Sequence, residues 1–281
     1  MKTAIVTDST AYLSKEMREK FHIHMVPLSV VFDHESFREE IDLSAESFYQ
    51  LVKERRELPT TSQPSVGQFV ETYEKLSQNY DAVISIHLSS GLSGTYQGAV
   101  SAGKMVENID VYPYDSEVSC MPQGFYVIKA AEMAQQGKAP EEIITCLDEM
   151  KSSAKAYFMV DDLSHLQRGG RLSSSQAVVG SLLQVKPLLH FVDKEIVPFE
   201  KIRTRKKAFK RMIDLFAEDA KSNEPMKAVV IHANRQEEAE KLKAELEHQY
   251  PHVELMISYF GPVTGTHLGE GAMGLAWVKK L

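Results

Sequence analysis

The chain has 281 residues, enough for one large or two ordinary domains, because single hydrophobic cores seldom grow past roughly 250–300 residues. With 43% hydrophobic and 25% charged residues it belongs among folded globular chains, which excludes disorder as a description of any large part. A formal net charge of −7 speaks against nucleic acid as a partner, since phosphate binding needs a basic surface.

From the N-terminus, residues 4–6 form a short apolar strand that ends at Thr7-Asp8-Ser9-Thr10. No charged region and apolar segment precede it, so the sequence carries no visible signal peptide and the expected location is cytoplasmic. Residues 14–21 read as a helix and residues 25–32 as a strand of β-branched residues. Helical spacing follows over 44–56 (Phe48, Leu51, Val52) and 67–76 (Phe69, Tyr73, Leu76). Then come a strand at 81–88, a helix at 95–106, a strand at 109–112 and helices at 123–136 and 139–150. Strands alternating with helices in this way predict a three-layer α/β/α domain with a mostly parallel sheet.

After residue 155 the pattern changes. A strand at 156–160 leads into a loop at 161–171 and a helix at 174–185. Residues 190–192 and 196–200 flank Asp193-Lys194-Glu195, the signature of a tight hairpin. Helices at 204–219 and 236–249 alternate with strands at 228–232 and 254–258, and a glycine-rich stretch leads into a last apolar run. A hairpin inside an αβ alternation predicts a second α/β domain with a mixed sheet, so the domains are placed at 1–155 and 156–281. No apolar run approaches the ~20 residues of a membrane helix. Cys120 and Cys146 form no CxxC pair, which fits a reducing compartment.

Four segments combine small residues, hydroxyls and a strand-end position, where ligands of open α/β sheets sit. The first, Thr60-Thr61-Ser62-Gln63-Pro64-Ser65, is a helix cap or an anion site. The second, Ser89-Ser90-Gly91-Leu92-Ser93-Gly94-Thr95, joins a strand to a helix. It lacks the lysine of a phosphate-binding loop and the spacing of a dinucleotide fingerprint, which favours a singly charged anion over a triphosphate. The third runs from Asp161-Asp162 to Arg168-Gly169-Gly170-Arg171, where acids could hold Mg²⁺ and arginines an anion, or all could form structural ion pairs. The fourth, Phe260-Gly261-Pro262 to His267-Leu268-Gly269, places a histidine among glycines. His22 and His24 lack a third ligand, and no metal site is expected.

Together these segments resemble the DegV family. The resemblance runs over essentially the whole chain and rests on the order of Thr7-Asp8-Ser9-Thr10, Thr60–Ser65, Ser89–Thr95, Val160-Asp161-Asp162-Leu163, Gly169-Gly170-Arg171-Leu172, Lys186-Pro187, Arg203-Thr204-Arg205 and His267-Leu268-Gly269. It implies a fatty-acid-binding protein, not an enzyme, with a long-chain acid such as palmitate, stearate or oleate between two α/β domains. Some members are acyl-carrying subunits of bacterial fatty acid kinase, which present the carboxylate to a kinase subunit for acyl phosphate formation. By carry-over, Thr61, Ser62, Ser93, Gly94 and His267 are implied to bind the carboxylate, and Arg171 and Arg203 to lie nearer the kinase-docking surface. No further cofactor and at most peripheral or transient membrane contact are expected. The alternative is a Mg-dependent enzyme acting on a small phosphorylated or carboxylated substrate in the inter-domain cleft, with Asp161, Asp162 and Arg171 as ligands.

Overall fold

The first strand, β1 (Thr3–Asp8), is buried along its whole length, as is β6 (Ala82–His87). Both carry the near-continuous apolar run of strands covered on two faces. They form the centre of a four-stranded parallel sheet ordered β2-β1-β6-β7, with β2 at Ile23–Val26 and β7 at Asp110–Asp115. Pro113 lies within β7 and is tolerated because β7 is an edge strand. The computed structural model of the chain describes residues 1–55, 58–173 and 186–280. The predicted helix at 174–185 lies outside the described residues.

The predicted strand at 25–32 is two strands. Pro27 has no N–H to donate, so the chain leaves the parallel sheet after β2 and restarts as β3 (Ser29–Phe32). With β4 (Glu35–Arg38) and β5 (Thr60–Ser62), β3 builds a separate antiparallel sheet ordered β4-β3-β5. The segment expected to be a loop at Thr60–Ser65 therefore begins as an edge strand, with Thr61 paired to Val30. Ser65 then caps α3 (Val66–Leu76) in a reciprocal box with Gln68. The helices α1 (Lys15–Phe21), α2 (Ala45–Arg55), α4 (Thr95–Gly103), α5 (Met121–Gln135) and α6 (Pro140–Ser153) complete this half.

From β8 (Lys155–Met159) onward every strand joins a six-stranded mixed sheet ordered β10-β9-β8-β13-β11-β12. Its members are β9 (Leu188–Val192), β10 (Glu195–Glu200), β11 (Met226–His232), β12 (Val253–Tyr259) and β13 (Met273–Lys279). Among these six strands β11 and β12 pair in parallel and the other neighbours are antiparallel. Asp193 and Lys194, at the turn of the β9–β10 hairpin, both have positive φ, 47° and 75°, which two-residue hairpin turns require. The outer face carries α8 (Arg205–Ala220) and α9 (Gln236–Gln249), packed around Trp277, Phe216, Leu242 and Leu246. The loop expected at 161–171 contains a short helix, α7 (Ser164–Gly169), and the histidine segment is a helix, α10 (Pro262–Leu268).

The four-stranded parallel sheet and the six-stranded mixed sheet share a core. One buried cluster runs from Tyr12, Phe48 and Ile84 through Phe125 and Tyr126 of α5 to Phe158, Val229 and Ile231 of the second sheet. The hairpin tip also crosses over: Ser89 Oγ donates to the Lys194 carbonyl at 2.5 Å, and Lys194 Nζ lies 3.0 Å from Asp115. Among the described residues, no helix is long and apolar enough to cross a membrane.

Candidate functional site

Strand alternation decides where space is left. On β8 and β13, Met159, Leu275 and Trp277 face the outer helices, while Phe158 and Ala276 face the shared core. Three of the four inward positions are small where the strands pair: Ala156 stands opposite Ala276, and Phe158 opposite Gly274. Against these small residues opens a cavity of about 310 Å³, within the ~300–1,000 Å³ usual for ligand sites. Leu28, Leu88, Phe158, Phe191, Ile231 and Phe260 supply apolar wall.

One end of the cavity is polar. Thr61, Ser62, Ser93, Gly94 and His267, brought from three of the four segments, line it together with Arg171. Arg203 does not: it is exposed and stands just ahead of α8. Arg171, expected toward an outer surface, is held at the cavity by its Nε bond to the Leu92 carbonyl at 3.2 Å and by a further bond to the Gly169 carbonyl. Gly94 is the N-cap of α4, and a Cβ there would sit 2.3 Å from Gln63 Oε1, so a side chain at 94 would push the Gln63 amide out of its place between the two segments. Ser93 Oγ accepts the Thr95 N–H at 3.3 Å and lies 2.9 Å from Thr95 Oγ1.

His267 Nε2 lies 2.9 Å from Thr61 Oγ1. Among the described residues its Nδ1 is buried without a partner, against Gly169, where a Cβ would come within 2.3 Å. Burial, and then the nearby Arg171 and His165, pull the imidazole down to about 4, so it is neutral at pH 7. A bare lone pair at Nδ1 costs less than a bare N–H, which assigns the proton to Nε2. Nε2–H then donates to Thr61, and the Thr61 hydroxyl proton is free to point at an anion. The end of the cavity thus offers neutral hydroxyl donors beside the Arg171 guanidinium.

Sequence reasoning missed the support beneath this end. Glu39, fully buried, accepts from Ser9 Oγ at 2.5 Å, Tyr12 OH at 2.9 Å and the Val263 N–H at 2.7 Å. Tyr12 OH in turn accepts the Thr264 N–H at 3.2 Å. The first turn of α10, the helix bearing His267, is therefore anchored on a carboxyl from the other half of the chain. Nothing in Arg38-Glu39-Glu40 marks one of these acids as buried.

Two other constellations are structural. Asp8, His87 and Ser85 lie in the order of a hydrolytic triad, at 3.1 Å and 2.7 Å. All three are fully buried, and Tyr73 OH donates to Ser85 at 2.8 Å, so no substrate reaches the serine. Asp161 pairs with Arg205 at 2.6 Å and Asp162 caps α7 through Ser164 N–H at 2.8 Å. Neither acid lines the cavity, so the alternative reading as a Mg-dependent enzyme has no geometric support there.

The comparisons with known proteins come down on the same family. A family model described as an uncharacterised protein of the DegV family matches residues 2–280. Protein DegV of Bacillus subtilis (strain 168) is 63% identical over 281 residues, covering 100% of both chains. The crystal structure of DegV, a fatty acid binding protein from Bacillus subtilis, superposes with a TM-score of 0.96 at 63% identity, again over 100% of both chains. A stearic-acid-binding protein from Eubacterium ventriosum superposes with a TM-score of 0.89 at 27% identity, over 99% of this chain and 98% of its own. This chain belongs to the DegV family.

Proposed function

We propose that the protein binds a long-chain fatty acid such as palmitate, stearate or oleate in the apolar cavity between residues 1–155 and 156–281. Its carboxylate is held by Thr61, Ser62, Ser93, Gly94 and His267. The protein then presents it to the kinase subunit of a fatty acid kinase, which forms the acyl phosphate. The observation that carries this reading is an apolar cavity ending in hydroxyl donors, with the Thr61 hydroxyl oriented by the neutral His267 imidazole. Burying a sixteen-carbon tail at ~0.8 kcal/mol per CH₂ contributes on the order of 10 kcal/mol before ordering costs. Binding therefore needs no strong ion pair, and neutral donors leave the carboxylate oxygens nucleophilic. The chemistry belongs to the kinase, so this chain is a binding subunit working in the cytoplasm. The fatty acid binding of the Bacillus and Eubacterium proteins supports the ligand class. Native mass spectrometry of protein purified from cells tests it: a co-purified C14–C18 acid is expected. Protein that is clean and shows no affinity for such acids would sink the reading.

A further inference from the structure

Pro122, Ala156, Tyr157 and Phe191 line the apolar cavity and also a second one, of about 290 Å³. None of Thr61, Ser62, Ser93, Gly94, Arg171 and His267 borders this second chamber, so it adjoins the first away from the head-group end. Pro122 and Tyr126 stand about one turn apart on α5, and that face of the helix leads from the first chamber into the second. Phe191, half-buried, borders both, and its ring centroid lies 5.9 Å from that of Phe158.

The second chamber has a different chemistry. Asp193 and Lys194, at the tip of the β9–β10 hairpin, close on it from one half of the chain, and Glu117 and Lys151 from the other. Lys151 Nζ donates to the Asp115 carbonyl at 2.8 Å and to Glu117 at 3.3 Å, and Lys194 Nζ lies 3.0 Å from Asp115. Lys155, also on the wall, is committed to Asp219 at 2.7 Å. Partial burial lowers the pKa of His190, so this wall residue is neutral at pH 7. Two ammonium groups therefore face two carboxylates. An ammonium has three donors and a carboxylate about four acceptor sites, so both donors and acceptors are left over. A methyl end gains little among such groups, and a second carboxylate would meet Glu117 and Asp193. A hydroxyl donates and accepts, and suits both. Inside the apolar cavity the same hydroxyl would lose its water without a partner, which is costly.

We propose that the second chamber receives the far end of the bound chain and fits the protein for fatty acids that carry a hydroxyl at that end. The proposal rests on the fatty-acid reading above and deepens it by naming a substrate class.

Delipidated full-length protein is titrated at pH 7 with acids of twelve to eighteen carbons, each with and without a terminal hydroxyl, by displacement of a fluorescent fatty acid. At twelve carbons the hydroxyl stays in the apolar cavity and is expected to weaken binding about tenfold, the effect of one unpaired polar group. At eighteen carbons it reaches the second chamber, and the two acids are expected to bind within about twofold of each other. Ala154 borders the second chamber and not the first. Ala154→Trp should fill that chamber, weaken the eighteen-carbon hydroxy acid about tenfold and leave dodecanoate affinity unchanged. Ala154→Leu, a smaller insertion, repeats the comparison should the larger side chain prevent folding, and the length series stands on the wild type alone. A hydroxyl effect of the same size at every length overturns the proposal, as does full affinity of the variants for the eighteen-carbon hydroxy acid. If no unsubstituted acid binds, the fatty-acid reading falls and the proposal with it. If the unsubstituted acids bind and the hydroxyl effect ignores length, the proposal falls alone.

Discussion

Glu39 is the ionisable group on which the site leans most, and its replacement by glutamine keeps the shape while removing the proton equilibrium. Burial pushes the carboxyl up from 4.5 to about 8, against the pull of its bonds from Ser9, Val263 and Tyr12. At ~1.36 kcal/mol per pKa unit, ionising Glu39 in the fold costs on the order of 5 kcal/mol more than in the unfolded chain. The folded pKa is raised, so this contribution is fully present below the unfolded value of 4.5, shrinks as pH rises, and is gone above about 8. Urea denaturation of ligand-free protein across pH 5 to 8 measures it. Relative to Glu39→Gln, the wild type should lose stability with a slope approaching ~1.4 kcal/mol per pH unit. Taking the difference between the two proteins cancels the other titrating groups. Because Val263 opens the helix that bears His267, fatty-acid affinity of the wild type should hold through pH 5 to 7 and weaken only as Glu39 ionises in the fold near pH 8, and that of the variant should not. Parallel stability curves for the two proteins would refute the reasoning.

Three further outcomes can be checked. Ser93→Ala and Thr61→Val should each weaken palmitate binding about five- to tenfold, by losing one hydrogen bond of ~1 kcal/mol, with an unchanged circular dichroism spectrum; full affinity in either variant removes that residue from the head-group end. Ala276→Phe, at an inward position of β13, should fill the cavity and abolish acyl binding in a fluorescent fatty acid displacement assay. It should cost the fold no more than the ~1–3 kcal/mol of overpacking. Ser65→Ala should cost ~1 kcal/mol in thermal or urea unfolding by opening the capping box of α3, and should leave ligand affinity alone.

The parts of the fold legible in the sequence were those with one dominant local signal. Ala-Val-Ile-Ser-Ile-His reads as a buried strand because burial on both faces removes any polar alternation. The β9–β10 hairpin shows in Asp193-Lys194 because the turn chemistry is local. β4 and β5 are invisible for the opposite reason. Glu-Ser-Phe-Arg and Thr-Thr-Ser have no apolar face, and they pair only because β3 lies between them. In the site, hydroxyls and glycines at strand ends drew attention to Thr61, Ser93 and Gly94. The family resemblance, rather than spacing, singled out His267 as a ligand group. What no pattern carried were contacts over long sequence separation: Glu39 on Val263, Gly169 under His267, and Arg171 turned toward Leu92.

The core that runs without a break from Tyr12 to Ile231 has a consequence for how this protein can be cut and recombined. Change of sheet membership at Lys155 invites a division there, yet each fragment would leave α5 or the inner face of the second sheet bare. The halves should therefore behave as complementing fragments, insoluble apart and folded when co-expressed. Exchanging one half between relatives would graft two unmatched surfaces across the cavity itself. Chimaeras of this fold should then tolerate new outer helices far more readily than a new partner for α5.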